Sequence, residues 1–297
     1  MVYRMRRQAL NTLRSLATPY QRDIRREEYE VIVVENPSEE MLEGEDVTAF
    51  GPGFRYLRMA ANDPSPAGAV NHAVNAARGE VVGLMVDGAR LLTPGVLALA
   101  RDLLRTNRQA VVSVPGYHLG HELQQCAVES GYDEETEKQL LDSISWPRDG
   151  YRLFDVSCLS GSCQAGYLLP ISESNCVFLS RDRFSSMGGL DTRFRSPGGG
   201  LVNLDFYRKI CEQEDSRTFI LPGEGTFHQF HGGVTTSRGD ENREELLRKM
   251  FEEYESIAGR SFAPPRHEIE LYGSVPPSAL RFLQHSVERA LNKGAGT

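Results

Sequence analysis

Two histidines stand three residues apart in a glycine-rich run, Gly223-Glu224-Gly225-Thr226-Phe227-His228-Gln229-Phe230-His231-Gly232-Gly233, that follows the apolar stretch Phe219-Ile220-Leu221-Pro222. Imidazoles so placed suit a polar site better than a packed core: neutral they ligate Mn²⁺, and charged they donate to phosphate oxygens. His228 is the first choice for a ligand and His231 its alternative, with Glu224 available to orient a ring. A second cluster, Asp87-Gly88-Ala89-Arg90, follows the buried run Val81 to Val86. An acid at the carboxyl end of a strand can hold Mg²⁺ or Mn²⁺, hard cations that bridge to phosphates, and it can equally cap a turn. Glu35, Asn36 and Ser38 stand after Val31-Ile32-Val33-Val34. There they can accept from a nucleobase N–H or a ribose hydroxyl, although Asn-Pro-Ser is also ordinary turn chemistry.

A third group comprises Glu173-Ser174-Asn175, Gly188-Gly189-Leu190-Asp191, and Gly198-Gly199-Gly200-Leu201-Val202-Asn203-Leu204-Asp205. Asp191 and Asp205 are candidates for a base that takes the proton of an attacking hydroxyl, with Asp191 equally readable as a helix N-cap. The three glycines suit a mobile loop or a close approach of backbone to substrate. Cys158 and Cys163 lack the second closely spaced pair that a structural zinc site needs.

These residues must be carried by a regular scaffold. Leu10, Leu13 and Leu16 predict an amphipathic helix over Arg6 to Tyr20, with Arg4, Arg6, Arg7, Arg14, Arg22, Arg25 and Arg26 around it. Short apolar runs predict strands at Val31–Val34, Phe54–Arg58, Glu80–Val86, Ala110–Pro115, Cys176–Leu179 and Phe219–Pro222. Helices are expected at Pro66–Arg78, from Thr93 (N-cap) and Pro94 onward, at Arg181–Met187, Asp240–Ile257 and Pro277–Leu291. The segment between Gly131 and Cys176 reads as an irregular excursion, helical in places, that covers the site. The alternation implies an α/β domain with a mostly parallel central sheet, whose ligands sit beyond the carboxyl ends of strands.

The chain has 297 residues, 40% hydrophobic and 25% charged, as in an ordinary globular protein. Its 33 basic and 41 acidic residues give a net charge of −8, which argues against nucleic acid as a partner. Five cysteines form no even, closely spaced disulfide framework, and neither a membrane-spanning run nor the apolar core of a signal peptide is present. The expected location is cytoplasmic.

The ordered set Arg7-Gln8-Ala9-Leu10-Asn11-Thr12-Leu13-Arg14-Ser15-Leu16, Val31 to Ser38, Asn71 to Gly79, Met85-Val86-Asp87-Gly88-Ala89 and Gly188-Gly189-Leu190-Asp191 resembles the signature of family-two-type glycosyltransferases with the GT-A fold. The resemblance covers about residues 1 to 235. It implies a GT-A-like domain over 1–237 and a helical C-terminal appendage over 238–297. It further implies inverting transfer of a sugar from a nucleotide-diphosphate sugar to a hydroxyl-bearing acceptor, in cell-surface glycan or related glycoconjugate synthesis. By the same resemblance Glu35 and Asn36 hold the nucleoside, Asn71 and Asn175 line the donor site, and Asp87 with His228 binds Mn²⁺ or Mg²⁺. Asp191 or Asp205 is then the base, and the basic first helix offers a possible peripheral contact with a membrane.

Three departures accompany it. The family's DxD motif is reduced to Asp87-Gly88-Ala89, its ED motif falls on Val202-Asn203, and of its opening apolar strand only Met1-Val2-Tyr3 could be the tail. Either coding sequence continues upstream or that strand is largely absent. These departures carry the alternative of a catalytically silent nucleotide-sugar-binding or scaffolding protein. A nucleotidyltransferase would need a glycine-rich phosphate loop near the first strand, and none is visible.

Overall fold

A computed structural model describes residues 1–231 and 240–294. Gly232-Gly233 and the expected domain boundary at 237/238 lie outside the described residues. In chain order the elements are α1 (Arg6–Leu16), β1 (Val31–Glu35), α2 (Gly44–Thr48), β2 (Phe54–Arg58), α3 (Ala67–Ala76), β3 (Val81–Leu84) and β4 (Arg90–Leu92). Then come α4 (Val96–Thr106), β5 (Ala110–Ser113), β6 (Gly116–Leu119), α5 (Gln124–Glu129), α6 (Glu134–Ile144), β7 (Ser157–Leu159), β8 (Val177–Ser180) and α7 (Arg181–Ser186). The chain continues through α8 (Val202–Cys211), β9 (Arg217–Ile220), β10 (Thr226–His228), α9 (Asp240–Ala258), β11 (Ile269–Leu271) and α10 (Leu280–Gly294).

The α/β class holds, and the strands among the described residues form three sheets, two of them of mixed direction. The central sheet has the order β11-β9-β5-β8-β3. Its β11, β9 and β5 run parallel, whereas β8 is antiparallel to both β5 and β3. A second sheet, β4-β10-β6-β7, pairs β10 parallel with β6 and antiparallel with β4, and β6 antiparallel with β7. A third is the parallel pair β1-β2. The alternation of strands and helices predicts more parallel pairing than this because it does not register the three-residue strands β4, β7 and β10, which are too short to show a period, and because it does not fix the direction of β8, which enters antiparallel after the irregular excursion. Every residue of β5 is buried, as expected of a strand covered on both faces. Gly83 of β3 faces Phe178 of β8, and a Cβ on it would lie 2.3 Å from that ring, so the missing side chain is what seats the phenylalanine.

One part of the core is aromatic. Tyr117 stacks on Phe227 with centroids 5.0 Å apart and meets Phe282 of α10 edge-on at 4.9 Å. The other lies between α1, α4 and the sheets, around Leu13, Leu16, Val96, Leu103, Val112 and Phe219. The helical C-terminal segment is tied to both: β11 adds to the edge of the central sheet, and Tyr254 and Phe282 are buried.

Helix α4 starts later than Thr93-Pro94 predicts. The Thr93 hydroxyl accepts instead from the Gly225 amide at 2.9 Å. The first turn is served from a distance, by Glu224 accepting from Gly95 N–H at 3.1 Å and Gln21 accepting from Leu97 N–H at 3.2 Å. Helix α8 is absent from the sequence expectation because its glycine-rich approach reads as loop, yet it buries Val202, Phe206, Tyr207 and Ile210.

Candidate metal centre

The short second sheet builds the site. In the β4-β10-β6 register, His228 lies opposite Arg90 on one side and His118 on the other. Asp87 sits in the connection between β3 and β4, three residues before Arg90. Its Oδ2 lies 3.1 Å from His228 Nε2 and 3.2 Å from Arg90 Nε, and its Oδ1 lies 3.8 Å from His231 Nε2. The two Nε2 atoms of His228 and His231 are 3.1 Å apart. His228 Nδ1 bonds Gln124 Oε1, an acceptor only, so Nδ1 carries a hydrogen and Nε2 is the nitrogen left facing Asp87 and His231. Gln124 also donates its backbone N–H to His118 Nδ1 at 2.9 Å.

The donor set fits a divalent cation. One ligand atom each from Asp87, His228 and His231 lie together within 4.8 Å. Metal–ligand bonds of about 2.1 Å at right angles place neighbouring ligand atoms about 3.0 Å apart, and two of the separations here are 3.1 Å. Two imidazoles and one carboxylate leave further coordination positions for oxygens of a bound molecule.

Helix α1 positions this cluster through its polar stripe. Thr12 donates to the Gly88 carbonyl at 2.7 Å and accepts from the Arg90 N–H at 3.0 Å, gripping the Asp87 connection on both sides. Gln8 donates to the Phe230 carbonyl at 2.6 Å, and Asn11 donates to Gln229 Oε1 at 3.0 Å. The Gln229 N–H in turn donates to the Ala89 carbonyl at 2.8 Å, closing the two site segments on each other. Gly88 is required for close approach, since a Cβ there would lie 2.6 Å from the Met1 carbonyl oxygen.

The electrostatics follow from this packing. Burial opposes charge on Asp87, but His228, Arg90 and His231 outweigh it and hold its carboxyl well below the usual range. Burial, with His228 and Arg90 adding to it against Asp87, draws His231 down to about 4 and His118 to about 3, so both rings are neutral at pH 7. Glu137 of α6 accepts from the Phe230 N–H and pairs with Arg7, and burial pushes its carboxyl up to about 7.

The structure brings together Asp87 and His228, as the sequence predicts, and adds His231 to the pair rather than making it an alternative. Glu224 is elsewhere: it caps α4 and accepts from the Tyr151 hydroxyl at 2.8 Å. Glu35 is 0% exposed, and one oxygen accepts from the Leu42 N–H at 3.0 Å and the Tyr56 hydroxyl at 2.8 Å. Asn36 donates to the Asp63 carbonyl at 2.8 Å and keeps a buried Oδ1 without a partner. Asn71 uses both amide atoms on the backbone of Leu190, at 2.8 and 2.9 Å, as a strut between α3 and the Gly188-Gly189 turn. Asn175 Oδ1 accepts from the Asn203 amide at 3.4 Å, and the same amide donates to Glu173 at 2.6 Å.

Asp191 caps its own turn by accepting from the Arg193 N–H at 3.0 Å, and the Arg193 guanidinium grips both of its oxygens. That pairing lowers its pKa. Asp205 is buried and pairs with Lys209 at 2.5 Å. Of the basic residues near α1, Arg6 pairs with Asp46 and Arg7 with Glu134 at 2.7 Å each, so part of the positive face is neutralised within the fold. No helix among the described residues is long and apolar enough to cross a membrane. All five cysteines are free thiols, and Cys163 accepts from the Gly116 N–H at 3.2 Å.

Sequence reading misses His118 and Gln124. His118 sits in a four-residue strand, and no pattern marks Gln124, whose place comes from the chain folding back over β6 and β10.

Residues 6–150 match the family model described as glycosyl transferase family 2. The sequence matches no curated protein. Among solved structures, S. aureus TarS 1-349 in complex with UDP-GlcNAc aligns with a TM-score of 0.51 and 15% identity, over 86% of this chain and 64% of that one. The UDP complex of the same protein gives 0.49 and 16%, over 86% and 63%. GalNAc-T7 with UDP, GalNAc and Mn²⁺ gives 0.48 and 13%, over 78% and 43%. The chain thus spans less than two thirds of the length of these structures, and at such identities the likeness to the first shows a shared GT-A fold.

Proposed function

From the premise that residues 6–150 carry a family 2 glycosyltransferase segment on a GT-A fold, we propose that the chain transfers a sugar from a nucleotide-diphosphate sugar to a hydroxyl-bearing acceptor. The observation that carries this reading is the convergence of Asp87, His228 and His231 at the carboxyl end of β3, where open α/β sheets bind their ligands. These three residues would hold a divalent cation, Mn²⁺ ahead of Mg²⁺ because two of the donors are imidazoles. When bound, such an ion supplies positive charge against the leaving diphosphate.

The remaining roles fall to the chain's own groups. Arg90 has a buried Nη1 without a partner beside Asp87, a donor suited to a phosphate oxygen. The free Oδ1 of Asn36 can accept from the nucleoside. Glu35 beside it, with Oε2 held by Tyr56 and Leu42, keeps Oε1 for the nucleoside. Asn71 fixes the turn that carries Asp191, and Asn175 with Asn203 fixes the entry to α8. In an inverting displacement Asp191 takes the acceptor proton, on releasing part of its grip on Arg193, with Asp205 the other candidate. The domain reading is a catalytic unit over 1–237 with 238–297 appended.

A second reading has its own support. Both candidate bases are held by cations, Asp191 by Arg193 and Asp205 by Lys209, an arrangement that suits a silent nucleotide-sugar binder. One experiment separates the two. The protein is incubated with Mn²⁺ and a panel of nucleotide sugars led by UDP-GlcNAc, and both melting temperature and release of nucleoside diphosphate are followed. A transferase is expected to show a rise of about 5 °C at saturating donor, and slow release that Asp191→Asn or Asp205→Asn abolishes. Stabilisation with no release, unchanged in both variants, identifies the silent binder. Absence of stabilisation by every nucleotide sugar overturns both readings.

A further inference from the structure

Helix α10 and the segment that follows β7 enclose an open groove of about 410 Å³, lined by Leu159, Gln164, Arg281, Phe282, His285 and Arg289. Arg281, His285 and Arg289 recur every four residues, so they share one flank of α10. The lining holds no acid, and among the described residues neither arginine pairs with a carboxylate. Arg55, Arg108, Arg183 and Arg217 all do, on a chain whose net charge is −8. Cations left without acids in a concave place create a local positive field that draws anions.

The walls of the groove are fixed to each other. The Tyr167 N–H donates to the Ser286 hydroxyl at 2.8 Å, and a Cβ on Gly166 would lie 2.4 Å from that same oxygen, so a glycine is what lets the segment approach α10. His285 Nε2 donates to the Gln164 carbonyl at 2.9 Å. Arg281 Nη2 donates to the Phe154 and Ser157 carbonyls at 2.5 and 2.6 Å, and its guanidinium lies 4.5 Å from the centre of the Phe282 ring. So held, Arg281 loses little freedom on meeting a ligand, and its Nε and Nη1 hydrogens are still to be used. Arg289 makes no hydrogen bond among the described residues.

This groove is separate from the metal centre. In the second sheet Cys158 stands in the row that holds His118 and His228, whereas Leu159 stands in the row of Tyr117 and Phe227. Successive residues of a strand face opposite sides, so Leu159 lies on the other face.

We propose that the groove binds a linear phosphate-bearing polymer without bases, one phosphate meeting Arg281 and a later one Arg289. The helix rises about 1.5 Å per residue, which sets the two arginines about 12 Å apart along the axis. A single phosphate does not span that distance, whereas a chain of them meets both and passes over Leu159. The phenyl ring of Phe282 is buried beneath Arg281, so a nucleobase finds no phenyl face on which to stack.

The test uses the full chain in EDTA, so that no divalent ion draws phosphate to the metal centre. Long-chain inorganic polyphosphate, inorganic monophosphate and a single-stranded oligonucleotide of matched charge are each titrated by calorimetry at equal ionic strength. Polyphosphate is expected to bind most tightly, to weaken as salt is added, and to slow hydrogen exchange in α10 and residues 159–167. Arg289→Gln should lower its affinity roughly 10-fold with an unchanged melting temperature, whereas Arg14→Gln, on the exposed side of α1, should leave it intact. Equal losses in the two variants, protection away from α10, binding of monophosphate or oligonucleotide as tight as that of polyphosphate, or no binding of polyphosphate would each overturn the proposal.

Discussion

Asp87 combines three roles in one carboxylate: it caps its own connection through the Ala89 N–H at 3.0 Å, pairs with Arg90, and faces two imidazoles. Replacing it with Asn keeps the cap and removes the charge. Asp87→Asn is therefore expected to weaken Mn²⁺ binding, read by titration calorimetry, by more than the 10- to 100-fold typical of a supporting group, whereas Gln124→Ala should fall at about that level. A Gln124→Ala protein that binds the ion as tightly as the parent would show that the tautomer of His228 is not set by Gln124. At this scale the sequence was legible where chemistry follows a strand end, as with Asp87 and His228. It was less legible where a polar side chain turns inward: Glu35 stands after a strand like a ligand-binding acid, and Tyr56 and Leu42, one 21 and the other 7 residues away, claim one of its oxygens. Asn71 is similar, since nothing in its own neighbourhood signals that Leu190 takes both of its amide atoms.

Helix α1 shows how an element serves two purposes. Its leucines announce an amphipathic helix, and that part was readable from spacing. The buried Gln8, Thr12 and Ser15 lie at the same helical spacing on the inner face, and they meet the Asp87 and His228 segments and the Leu92 amide rather than apolar neighbours. Thr12→Val keeps the shape and removes a hydroxyl that serves two backbone groups. It is expected to cost about 1–3 kcal/mol in denaturant unfolding and to loosen ion binding as well, a coupling that a purely structural threonine would not show. Asn71→Ala leaves the Leu190 N–H and carbonyl unpaired and should cost about 1–3 kcal/mol while leaving ion binding intact. The elements that escaped the sequence share a cause. Strands of three residues and a helix entered through three glycines give too short or too interrupted a signal for periodicity to register.

Over the whole molecule, the net −8 is an average over a fold in which ion pairs such as Arg6–Asp46, Arg55–Glu30 and Arg217–Glu270 tie local charges together. Burial raises the carboxyls of Glu35, Glu224 and Glu137 against that balance. Glu137 is held at about 7, above the usual carboxyl value of 4.5, so the native state binds its proton more tightly than the unfolded chain does. Its contribution to stability is full below about pH 4.5 and declines as pH rises to about 7. The melting temperature of Glu137→Gln is accordingly expected to fall less than that of the parent between pH 5 and 7, and parallel profiles would assign the pH dependence to other groups. The C-terminal segment, which reads as an appendage, is joined to the rest through β11 and Phe282. Phe282→Ala should cost about 3–5 kcal/mol of global stability, seen as a lower denaturant midpoint. The register of the second sheet has a consequence for how such a chain changes over generations. Arg90, His118 and His228 face their purpose only because β4, β6 and β10 are aligned rung by rung. Inserting or deleting one residue inside any of these strands turns its later side chains to the opposite face. Descendants can vary the lengths of the connections on either side, but within these three short strands the lineage is confined to exchanging one residue for another.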